Sequence, residues 1–144
     1  MNALTPPDGT LTTALTRLPD EVRHAIGLFN QRDFDECHHE LQAVWYRERD
    51  PVRLLYQGIV QIGAAAIHLD RRHWRQALTL FDRARPKLAA CPAVFLGVDV
   101  ARLRADAARC EAAIRAAGPD GVHARTPEIF PTIALAADRP PLTS

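Results

Sequence analysis

The chain has 144 residues, 47% of them hydrophobic, with 18 basic against 17 acidic side chains. That length supports one sizeable core, and the near balance of charge leaves no field to draw in nucleic acid or an anionic membrane. Cys37, Cys91 and Cys110 are odd in number and widely spaced, so they read as buried thiols of a cytoplasmic protein and not as a disulfide framework or a thiolate zinc site.

Met1 to Leu18 carries Thr and Pro without a basic start and an apolar run, and reads as a flexible segment (1–18) and not as a signal peptide. A first helix should open near Pro19-Asp20 and carry Val22, Ala25, Ile26 and Phe29 at helical spacing as far as Asn30. Asp33, with Glu36 three residues later, is a capping signal for a second helix whose apolar stripe is Phe34, Cys37, Leu41, Val44 and Trp45. The charged loop Arg47 to Asp50 closes it.

Asp50-Pro51 starts a third helix, because proline is tolerated in a first turn where its missing N–H has no partner anyway. Leu55, Ile59, Ile62, Ala66 and Leu69 form one stripe of it, while Gln57, Gln61, Ala64 and His68 form another, so it should be the central helix. Gln57, Gln61, Gly58 and Gly63 interrupt Val52 to Leu69, which makes it a buried helix and not a membrane span. A fourth helix should run from Trp74 toward Ala90 with a kink or break before Pro86, and a fifth from about Val98 to Ala117, stopping at Gly118-Pro119. Strand signals hardly appear.

Sliding the sequence by 40 positions lays Phe29-Asn-Gln-Arg-Asp-Phe34 over Leu69-Asp-Arg-Arg-His-Trp74 and Leu41 over Phe81. Each unit reads as a helical hairpin with a polar turn and an aromatic opening the second helix, placed to pack back on the preceding one. The expected fold is all-α: a compact bundle of about five helices (19–118), built from two tetratricopeptide-like hairpins plus a C-terminal helix. Residues 119–144 form a Pro-rich extended tail. Its Ile129, Phe130, Ile133 and Leu135 should dock in a groove of the bundle or on a partner chain.

His38 sits where the helical pattern asks for an apolar residue and shares a face with Phe34, Leu41, Gln42 and Trp45. Its counterpart in the repeat is Leu78. An imidazole placed there needs a partner, expected in Gln57 or Gln61 of the central helix, with His68 further along the same face. His38, Gln42, Gln57, Gln61 and His68, walled by Trp45 and Tyr56, are therefore the candidate pocket. The competing reading is a satisfied polar core that fixes helix register. His38, His39 and Glu40 are consecutive and point about 100° apart, so they cannot chelate one ion as a local motif. Cys37 does not face His38, and no nucleophile stands with its base. Arg71, Arg72, Arg75, Arg83 and Arg85 read as a solvated face, although Arg71, Arg72 and Arg75 could hold something small.

The set Phe29-Asn30, Cys37-His38, Leu41, Trp45, Tyr56-Gln-Gly-Ile-Val-Gln-Ile62, His68-Leu69 and Trp74 resembles the domain-of-unknown-function 309 family. The stretch Pro92 to Leu103 is similar to the continuation in cyanobacterial-type members, which extends the resemblance from Val22 to Arg109. It implies a small all-helical protein of no established activity. It also implies acidic residues after the matching histidine and in place of Gln42; here those positions are His39 and Gln42, which weakens an acid–base or metal role. The resulting expectation is a non-catalytic binding or scaffold module, without assigned cofactor or metal. Its partner would be a small molecule or a protein, not nucleic acid or membrane, with a homodimer left open. The alternative is a small metal-assisted or acid–base enzyme, hydrolase-like, centred on His38 and His68.

Overall fold

The computed structural model describes residues 17–121 and 129–135. Among them the elements are α1 (Asp20–Asn30), α2 (Phe34–Trp45), α3 (Val52–Asp70), α4 (Trp74–Ala89), β1 (Val94–Phe95), β2 (Val98–Asp99) and α5 (Val100–Ala117). The fold is an all-α bundle in which each helix packs on the next. The expected flexible segment lies outside the described residues except for Arg17 and Leu18, and Leu18 is a core residue, 1% exposed.

Burial follows the apolar spacing. Val22, Ala25, Ile26 and Phe29 face inward from α1, and Phe34, Cys37, Leu41 and Val44 from α2. The Asp33 side chain accepts the Glu36 backbone N–H at 3.4 Å, at the predicted start of α2. Central α3 is clasped by α2 and α4, and its two glycines are points of close approach. A β-carbon on Gly58 would stand 2.7 Å from Leu88 Cδ2, and one on Gly63 3.4 Å from Phe34 Cδ1. Helix α3 is long and apolar enough to cross a bilayer, yet 61% of that window is buried inside the fold. Its apolar surface thus serves the core.

The two interhelical turns match residue for residue across the 40-position offset. Arg32 and Arg72 both adopt positive φ, 70° and 62°. The Asp33 N–H donates to Leu28 O and the His73 N–H to His68 O, each at 2.8 Å. The aromatics that follow behave differently. Phe34 packs edge-on against Phe29 of the preceding helix, 5.2 Å between centroids, whereas the Trp74 indole N–H donates 2.9 Å forward to Ile114 O of α5.

Two expectations need correction. Of the kink or break expected before Pro86, the break is absent, and helix α4 continues to Ala89. Pro86 is exposed three residues from the helix end, so the Asp82 carbonyl it leaves unbonded lies on a hydrated face, while buried Ala84 and Leu88 hold the turn. Ahead of α5 stands a two-stranded antiparallel hairpin that was not anticipated, pairing Val94 with Asp99 and Phe95 with Val98. Leu96 and Gly97 both have positive φ, 53° and 84°, the turn geometry that suits the twist of a hairpin.

Of the tail, residues 129–135 are described and lie along their own bundle. The Asn30 side chain brackets Ile133, accepting its N–H at 2.7 Å and donating to its carbonyl at 3.1 Å. Arg32 donates to Phe130 O at 2.7 Å and to Pro131 O at 2.8 Å. The Asp99 N–H donates to Ala134 O, and Leu135 bridges Val98 in antiparallel register. Phe130 rests on Phe34 and Phe81, and Phe130 and Ile133 are each 3% exposed. The remainder of segment 119–144, at 122–128 and beyond 135, lies outside the described residues.

Candidate functional site

The seven candidate residues fall into three groups. Gln57, Gln61 and His68 are half-buried and lie with Ala64 along one face of α3, the face turned away from its core stripe. His38 and Trp45 are half-buried on the flank of α2, and Gln42 beside them is exposed. Tyr56 belongs elsewhere: it is fully buried among the core side chains, about 100° around the helix from Gln57. It therefore does not wall the glutamine row.

The polar partnerships also differ from expectation. His38 has no hydrogen bond among the described residues, and Gln61 Oε1, one of its expected acceptors, is buried with no hydrogen-bond partner. The Tyr56 hydroxyl is the other buried group without a partner, and burial, reinforced by the Glu48 carboxylate, pushes its pKa up. His39 is exposed, and Glu40 accepts from His24 Nδ1 at 2.7 Å, tying α2 to α1.

His68 does meet an imidazole, but it is His73. The two Nδ1 atoms stand 3.3 Å apart, one donating and one accepting. Sequence reasoning missed His73, although the α3–α4 turn that closes on His68 O carries it there. Burial, then His73 and Arg71, hold the His68 imidazole below its ordinary pKa. Among the described residues no group of three or more His, Cys, Asp or Glu side chains converges as a metal-ligand set. The three cysteines are free and buried, and burial pushes the thiols of Cys37 and Cys110 up to about 12, far from nucleophilic use.

Next to His68 the surface opens into a cleft of about 380 Å³ lined by His68, Arg75, Gln76, Thr79, Leu80 and Arg83. A second cleft of about 400 Å³ runs beside the docked tail, bordered by Arg32, Asp106, Arg109 and Cys110. There Arg32 is occupied with tail carbonyls and Arg109 with Asp106.

A helical bundle with a half-exposed polar row on its central helix is the class these observations define. Residues 22–80, from α1 into α4, match the model of the family described as Domain of unknown function (DUF309). The match is narrower than the resemblance read from the sequence and stops before Pro92 to Leu103. No curated protein matches the chain.

Proposed function

We propose that this chain is a non-catalytic binding module of the cytoplasm, and that its ligand face is the polar row Gln57, Gln61 and His68 with His38, Gln42 and Trp45 at its α2 border. The observation that carries this reading is Gln61 Oε1, a buried acceptor without a protein donor in the middle of a half-exposed row. Such an oxygen costs about 1–3 kcal/mol unless a donor reaches it, and a ligand N–H or O–H would supply one. Trp45, amphipathic and half-buried, offers an apolar wall to the same ligand. Buried free thiols support a reducing compartment. The enzyme alternative on His38 and His68 gains no support, since His68 is paired with His73 and His38 has no hydrogen-bonded acid or base among the described residues.

The test is a fragment screen by protein-observed NMR on the full chain, run on wild type and on Gln61→Leu. Donor-bearing fragments should shift the side-chain amides of Gln57 and Gln61 and lose at least tenfold in affinity in the variant. Fragments that bind only elsewhere, or equally well to Gln61→Leu, would overturn the assignment.

A further inference from the structure

The His68 end of the polar row runs into an arginine-bearing part of the surface. Gly58 faces Leu88 and Ala84, which fixes α3 and α4 as antiparallel neighbours and brings His68 level with the first turns of α4. Arg75, Thr79 and Arg83 follow at four-residue steps, so they share one face of α4, with the two arginines ~12 Å apart along the axis. All three are exposed, and Leu80 beside them is half-buried.

Several arginines elsewhere on the surface are neutralised by acids. Arg47, Arg85, Arg102, Arg109 and Arg115 each pair with a carboxylate. Among the described residues Arg71, Arg72, Arg75 and Arg83 form no ion pair. The acids of this stretch are Asp70 and Asp82, and Asp82 lies 3.2 Å from Arg85 and 3.7 Å from Arg115. A chain with a net charge of only +1 thus sets two guanidinium groups, Arg75 and Arg83, without an ion pair among the described residues, on one cleft.

We propose that the cleft of His68, Arg75, Gln76, Thr79 and Arg83 binds the phosphate group of a small organic phosphate, which rests on the binding-module reading and names its ligand class. Guanidinium forks donate in pairs to phosphate oxygens, two cations match a dianion, and the Gln76 amide lies on the same wall to donate to a remaining oxygen, while the Thr79 hydroxyl donates to Arg75 O at 3.1 Å. Leu80 gives an apolar surface for the organic portion. The volume, about 380 Å³, falls within the range of small-molecule sites.

The experiment titrates the full-length protein with inorganic phosphate and with phenyl phosphate at ionic strength held constant with chloride, followed by NMR. Saturable shifts of Gln76, Thr79 and His68 are expected, with phenyl phosphate the tighter ligand. Arg75→Gln/Arg83→Gln should weaken binding at least tenfold, with Gln76→Leu as a second, uncharged probe of the same wall. Inorganic phosphate binding as tightly as phenyl phosphate would overturn the organic-ligand part. Shifts that do not saturate, that chloride reproduces, or that survive in the double arginine variant would overturn the site itself. Gln61→Leu separates the two readings. Phosphate binding that persists in it but not in the arginine variant upholds the phosphate cleft and removes Gln61 from the ligand face. Loss in both variants upholds both.

Discussion

Arg32 and Arg72 occupy equivalent places in two turns 40 residues apart, both in the left-handed region, and among the described residues Arg32 alone of the two hydrogen-bonds the tail. A non-glycine residue in that conformation costs roughly 1 kcal/mol. Arg72→Gly should therefore stabilise the fold by up to about 0.5 kcal/mol, since the released strain exceeds the entropy that glycine adds to the unfolded chain. Arg32→Gly gains the same relief but loses two charged hydrogen bonds to Phe130 O and Pro131 O, and should be net destabilising by about 1–3 kcal/mol. Urea unfolding of both variants measures the opposite signs.

The tail depends on Asn30 as much as on Arg32. Asn30→Ala removes both bonds to Ile133 and leaves its part-buried N–H and carbonyl unsatisfied, so a loss of about 1–3 kcal/mol is expected. Because residues 129–135 lie on their own bundle, the full chain should sediment as a monomer. Truncation before Ile129 would uncover Phe34 and Phe81 and should produce concentration-dependent association in the same experiment.

Stability should fall on both sides of a neutral plateau. Cys37 and Cys110 keep their protons when folded up to about 12, so above the unfolded thiol value, between roughly pH 9 and 12, the unfolded chain binds fewer protons and stability declines as pH rises. The depressed value of His68 acts in the other direction: below roughly pH 6.5 the unfolded imidazole binds more protons than the folded one, and stability declines as pH falls. Thermal unfolding from pH 5 to 11 checks both arms. Native alkylation at pH 8 should leave Cys37 and Cys110 unmodified until the chain is denatured.

Helical periodicity made the bundle legible because α1 to α5 each bury a face set by three- and four-residue spacing, and Asp33 marked a helix start by its own chemistry. The hairpin at Leu96-Gly97 escaped notice because two-residue strands carry no alternation to read. The site was legible in part. Gln57, Gln61 and His68 share a face through their spacing alone, but Tyr56 next to Gln57 had to point elsewhere by the same 100° rule. His38 follows Cys37 by one step and is carried to the edge of the buried stripe, where it is half-buried and does not meet the expected glutamine partner. The His68–His73 pair depended on the turn at Arg72, whose left-handed backbone no local pattern announced.

Whether the polar row on α3 serves a ligand or fixes the core is decided by the unfolding free energy of Gln61→Leu. If the buried Oε1 is kept for a ligand, replacing it with an apolar side chain of similar size removes an unsatisfied acceptor, and the variant should be more stable by about 1–3 kcal/mol while ligand binding is lost. If Gln61 is part of a satisfied polar core, the same substitution breaks a network, and a variant less stable than wild type would contradict the binding-face assignment.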